Sequence, residues 1–169
     1  MAAKTLVSLL VAFLLISQPT KAQQHSVDAI VDDLYESISF NENKDPDYEK
    51  FQSLFVEGGR LISVKDTTSY TLSPDDYKQS MTKQRKSGAI IAFEEEELHR
   101  KTEQYGNILH LFSTYRTHLK TPNGTDSARG INSIQLMKKD GSWKVVSLIW
   151  YEEDKAHPLP EKYLPSDMN

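Results

Sequence analysis

The chain of 169 residues contains no cysteine. That absence excludes disulfides, a thiol nucleophile, cysteine metal sites and an N-terminal lipid anchor, which needs Cys at the first mature position. Runs of basic charge are missing too. The 20 Lys and Arg are scattered among 24 Asp and Glu, for a formal charge of −4, and such a chain suits neither nucleic acid nor an anionic membrane. No GxGxxG, P-loop, GxSxG, HxH or HExxH segment occurs, which argues against nucleotide cofactors, serine hydrolase chemistry and a metal site. His110 and His118 share a strand face but stand roughly 26 Å apart along it. No cofactor and no metal are therefore expected.

One apolar run is present, "LVSLLVAFLLI" at 6–16, behind Lys4 and ahead of a small-residue exit at Ala22. It reads as a secretory signal over 1–22, and it is short of the roughly 20 apolar residues that span a membrane. The expectation is a secreted or periplasmic protein cleaved near Ala22, with one domain over 23–153 and a tail over 154–169. Loss of Lys4 and Lys21 would leave the domain more acidic still. An exported domain without disulfides must be held by its core, which fits the periplasm best.

Two periodicities divide the domain. Val27, Ile30, Val31, Leu34, Tyr35 and Ile38 recur at helical spacing. "DPDYEKFQSLF" (45–55) predicts a second helix, stopped by "EGG", and "RLISV" (60–64) a short strand. "SPDDYKQSMTKQRKSG" (73–88) predicts a third helix, with Ser73 and Asp76 spaced as a capping box and Gly88 as its stop. From Ile90 the period is two, giving four long strands over 90–105, 107–119, 128–139 and 143–153. Helices followed by a meander mean an α+β fold, three N-terminal helices packed on a curled antiparallel sheet. The curl would leave a cavity between the two layers.

That order of elements, with "LFVEGGRLIS", "YGNILHLFSTY" and "DGSWKVVSLIWYEE", resembles the nuclear transport factor 2-like superfamily, which includes ketosteroid isomerase and the SnoaL-like cyclases. The resemblance covers residues 27–153 and implies a cone-shaped fold whose interior holds a small molecule or is filled. It implies that Val146, Leu148, Trp150 and Glu152 point into the cone. A turn at Asp140-Gly141 would then put Ile131, Ser133 and Gln135 on the same interior face. Gln135 matches the position of the isomerases' oxyanion-stabilising acid, and Tyr35 lies near their phenol donor. Their general-base Asp falls at about Ser63, and a serine cannot do that work unaided. Dimerisation through the sheet is a further implication, so a homodimer is expected.

The candidate ligand-binding residues are thus Gln135, Ser133, Trp150, His110 and Glu152. His110, Tyr35 and Glu96 are the candidates for catalysis. In "FEEEEL" (93–98) strand alternation sets Glu94 and Glu96 on one face and Glu95 and Glu97 on the other. Whichever pair looks inward would have its pKa raised by burial. Arg129 beside Glu152 reads as a surface ion pair worth under about 1 kcal/mol. Tyr163 and Leu164 are the tail's apolar anchors, set to pack outside the domain or across a dimer interface, with a disordered end as the alternative. The expected function is binding of a small, largely apolar molecule, with a proton-transfer enzyme or a dimeric interaction module as alternatives.

Overall fold

The structure, a computed structural model, describes residues 21–166. Residues 1–20 of the expected leader and 167–169 of the tail lie outside the described residues. The elements in order are α1 (Lys21–Ile38), α2 (Tyr48–Ser53), β1 (Phe55–Lys65), β2 (Thr68–Leu72), α3 (Pro74–Lys86), β3 (Ala92–Tyr105), β4 (Ile108–Thr121), β5 (Gly124–Lys139) and β6 (Ser142–Glu152), then a 3-10 turn at Glu161–Tyr163. Three helices pack on one face of a six-stranded sheet ordered β2-β1-β6-β5-β4-β3. Val27, Ile30, Val31, Leu34, Tyr35 and Ile38 are all buried, so the helical stripe read in the sequence is the face α1 turns to the sheet.

Local chemistry explains most boundaries. The Ser73 hydroxyl accepts from the backbone N–H of Asp76 at 3.1 Å, and an Asp76 carboxylate oxygen accepts from the Ser73 N–H at 2.9 Å. This reciprocal capping box satisfies N–H groups that the first turn of α3 leaves open. Asp140 and Gly141 take φ of 51° and 81°, the mirror-image turn whose twist matches a two-residue hairpin.

Three features differ from the expectation. The sheet is mixed, because β1 runs parallel to β6, with Leu61 opposite Leu148 and Ser63 opposite Trp150. The "EGG" segment does not end a helix. Gly58, at φ 74°, and Gly59, where a Cβ would lie 3.0 Å from the Phe55 ring, form an irregularity inside the long β1. Glycine supplies the conformation that a bulge needs, and a stop and a bulge read alike in sequence. β2 was not foreseen at all; it is a short, exposed edge strand without an apolar face to reveal it.

The tail lies on the outer face of the sheet. The Thr114 hydroxyl donates to the Tyr163 carbonyl at 2.6 Å, and the Tyr163 ring sits 4.9 Å from that of Phe112.

The inner face depends on one close approach. A Cβ at Gly130 would meet the Tyr115 hydroxyl at 2.5 Å and the Tyr151 carbonyl at 2.3 Å, so Tyr115 lies directly over bare β5 backbone. Gly130→Ala is expected to cost about 1–3 kcal/mol, as overpacked sites do, read as a lower midpoint in chemical denaturation. An unchanged midpoint would mean that Tyr115 is not seated there.

Candidate functional site

The inner face is set by a bulge. Gln135 pairs with Ser147 and Leu136 with Val145, so Val146 is the extra residue on β6. Beyond it Leu148 lies opposite Ile134 and Trp150 opposite Asn132. On β5 the inward residues are therefore Asn132, Ile134 and Leu136, all buried. Val146 and Gln135 are exposed.

This overturns the expected interior row. Gln135, Ser133 and His110 belong to the outer face, where His110 Nε2 and Ser133 Oγ lie 3.0 Å apart and the His110 ring sits against Phe112. Glu96 is outside as well, 3.3 Å from Arg116. Arg129 pairs with Glu153 at 2.8 Å rather than with Glu152. Leu148, Trp150, Glu152 and Tyr35 do line the interior. Ser63 does not appear in that lining.

Between the helices and the curled sheet lies a mostly apolar cavity of about 320 Å³. Phe51, Tyr77, Phe93, Tyr115 and Trp150 contribute rings, from two helices and three strands. Leu109, Leu136, Trp143 and Val145 pack with Leu54 and Phe55 in the same core, outside the lining. Among the lining residues Asp126 and Glu152 are the exposed ones, and they mark the opening.

Polar groups converge on one wall. The Asn132 amide donates to the Tyr35 hydroxyl oxygen at 3.1 Å and to Glu95 Oε1 at 3.0 Å. Since Tyr35 oxygen accepts there, its own proton goes to Ser113 Oγ, 2.7 Å away. Ser113 in turn donates to Glu97 Oε1 at 2.5 Å. Glu97 lies 3.5 Å from Arg100, which also pairs with Asp28 of α1. The chain of donors thus runs in one direction, from the cavity wall to an ion pair between helix and sheet.

Burial dominates the electrostatics. It pushes the Glu95 carboxyl up from 4.5 to about 7, against the opposing hydrogen bond from Asn132. The surface that Glu95 retains is turned to the cavity it lines, so it is removed from bulk water without being entombed. Burial also raises Glu97, opposed by Ser113 and Arg100. Tyr35, Tyr77 and Tyr115 are pushed up by burial and next by the nearby charge of Glu95, and so stay protonated. The site presents a carboxyl able to exchange a proton near neutrality, backed by a neutral phenol and an amide, in an apolar chamber.

The residues that sequence reasoning missed are Asn132, Glu95, Ser113, Tyr115 and Asp126. A signal for two of them was present: Val145 and Val146 stand adjacent on a strand that is otherwise alternating, the mark of a phase change. The choice between the two glutamate pairs had no such mark, because "EEEE" has no phase of its own.

A raised acid pKa costs folding stability above it. Glu95 binds a proton more readily folded than unfolded, so its cost is absent below about pH 4.5, grows between 4.5 and 7 and is complete above 7. At about 1.4 kcal/mol per pKa unit, that cost is on the order of 3 kcal/mol. Glu95→Gln keeps an acceptor for Asn132 and removes the charge. The variant is expected to be more stable than the parent at pH 8 by about 1–3 kcal/mol and no more stable at pH 4. Equal stability of the two proteins at both pH values would show that Glu95 is not buried as described.

No family model matches the chain, and no curated protein does. Solved structures do resemble it. A protein assigned provisionally as a scytalone dehydratase, from Novosphingobium aromaticivorans DSM 12444, superposes with a TM-score of 0.62 at 14% identity, covering 79% of this chain and 85% of that one. LinA gives 0.63 at 9% identity, with 83% and 91% covered. An NTF-2-like protein of unknown function from Silicibacter pomeroyi DSS-3 gives 0.54 at 12% identity, with 79% and 100% covered. Identities this low speak to architecture alone, and the architecture of this chain is the cone-shaped fold of the nuclear transport factor 2-like superfamily.

Proposed function

We propose that the chain binds a small, largely apolar molecule in the cavity between helices and sheet. The observation that carries this reading is the cavity itself. A ring-lined chamber of about 320 Å³ with polar groups gathered on one wall is built as small-molecule sites are. A filled cone would have had large side chains where Ala128 and Thr117 stand. The polar wall, with Tyr35 and Asn132 buried and Glu95 partly so, is the second support, since orienting a ligand is a use that offsets the cost of placing an acid there.

A neutral fluorescent probe, N-phenyl-1-naphthylamine, is expected to brighten on binding and to saturate at one per chain. Ala128→Trp should abolish the signal by filling the chamber. Gln135→Leu and His110→Ala, on the outer face, should leave it unchanged. Binding that resists Ala128→Trp and weakens in the outer-face variants would refute the assignment of the site.

A second reading is favoured by the Glu95 carboxyl, poised near neutrality in the cavity. Two structural neighbours carry names that denote eliminations, the scytalone dehydratase and LinA, a relative of which is called a hexachlorocyclohexane dehydrochlorinase. On this reading Glu95 takes a proton from the bound molecule. The natural ligand, recovered from purified protein and identified by native mass spectrometry, should then lose a small fragment or gain deuterium from heavy water. That activity should rise with an apparent pKa near 7 and vanish in Glu95→Gln. A ligand returned unchanged and unlabelled would leave binding alone as the function.

A further inference from the structure

The charged residues lining the cavity are all acidic. Glu95 stands inside, Asp126 and Glu152 stand at the mouth, and among the described residues no Lys, Arg or His contributes to the lining. The contrast with the neighbouring acid is informative. Glu97, one alternation further along β3, has Arg100 at 3.5 Å as a counter-ion. Glu95 has only the neutral Asn132 amide, on Oε1, and its Oε2 has no hydrogen-bond partner among the described residues. A buried carboxylate without a cation is costly, and here the missing cation would have to come from the cavity.

The remaining walls suit the same visitor. Tyr35, Tyr77, Tyr115 and Trp150 line the cavity with Glu95, and aromatic faces attract organic cations through the negative potential over the ring. We infer that the ligand is an organic cation, an ammonium group on an apolar skeleton, whose charge sits against Glu95 while its carbon body fills the ring-lined chamber. This rests on the cavity-binding reading above and names its ligand class. The mouth carboxylates would raise the local concentration of cations before entry, an effect that salt screens. The deep contact is screened much less.

The groups facing Glu95 settle the pH dependence. They are Tyr35 from α1, Tyr77 from α3, Tyr115 from β4, Asn132 and Asp126 from β5, Trp150 and Glu152 from β6, and Glu97 on its own strand. The tyrosines stay neutral and no base lies among them. Burial raises Glu97 as well, but that carboxyl has Arg100 as a counter-ion, so ionisation of Glu95 is what leaves an unpaired charge at the cavity as pH rises through about 7.

Three probes with one skeleton separate the possibilities: 4-phenylbutylamine, 4-phenylbutan-1-ol and 4-phenylbutanoate, titrated calorimetrically into the full chain at pH 8 and 0.15 M salt. The amine should bind at least about tenfold tighter than the alcohol, and the carboxylate weakest of the three. The amine's advantage should grow from pH 6 to 8, while the alcohol's affinity does not rise. Glu95→Gln should remove most of the advantage, leaving the amine no tighter than the alcohol in that variant. An alcohol or carboxylate that binds as well as the amine overturns the cation and leaves the cavity standing. So does failure of the amine where N-phenyl-1-naphthylamine still binds. Failure of every probe, the naphthylamine included, overturns both.

Discussion

The Asn132 amide holds the inner wall together. Its two N–H groups go to Tyr35 on α1 and to Glu95 on β3, while its backbone sits in β5 beside β6. One side chain thus ties a helix to both arms of the curled sheet across the cone. The opposite orientation would point the amide carbonyl at a carboxylate, so the electrostatics of Glu95 fix which way Asn132 faces. With that settled, every later proton has one place to go: Tyr35 to Ser113, Ser113 to Glu97. A buried polar network is stabilising only when its members are satisfied, and along this path they are. Tyr35 is accordingly pinned, its oxygen and its proton both committed inside the protein.

Two atoms of the network are left over. Arg100 Nη1 is buried without a partner behind the wall, whereas Glu95 Oε2 belongs to the residue that lines the cavity. When Glu95 is neutral the proton belongs on that oxygen, because Oε1 accepts from Asn132, and the site then shows the cavity a donor. When it ionises the same atom becomes an acceptor. Burial sets the crossover near neutrality, so the face that the site shows its ligand depends on whether the ligand stabilises the charge. The fold accepts a void of about 320 Å³ and an acid out of its normal range in the same place. Interiors are otherwise close-packed, and departures that are paid for elsewhere in a core are concentrated where molecules function.

Much of this was legible in the chain, and the divide between what was and was not is physical. Helix α1 could be read because six apolar residues at one spacing leave no other use for the face they form. The capping box of α3 and the Asp140-Gly141 turn could be read because few residue types satisfy those backbone geometries. The α+β class followed from the change of period at Ile90. The parallel pairing of β1 with β6 could not be read, since it joins segments almost ninety residues apart and local pattern carries no trace of a partner. Nor could β2, whose side chains apart from Leu72 face water.

The candidate site shows the same limit more sharply. The phase of β6 was read rightly at Leu148, Trp150 and Glu152, and the phase of β5 was carried across the hairpin by counting. Val146 breaks that count, and one residue exchanged Asn132 for Ser133 and Ile134 for Gln135 on the inner face. The consequence goes beyond a relabelling. An interior of Ser133, Gln135 and His110 would have been a neutral, hydrogen-bonding pocket with a base. The interior that the bulge creates keeps those groups, along with Arg116 and His118, on the other side of the sheet. Strand alternation thus separates charge by face in β3 and β4: the cationic side chains of β4 stay outside with Glu96, and Glu95 is left inside among rings. The bulge at Val146 brings Trp150 and Glu152 to the inner face, while the register of β3 on β4 sets Glu95 there opposite Thr117, and the preference inferred for a cation follows from the two together.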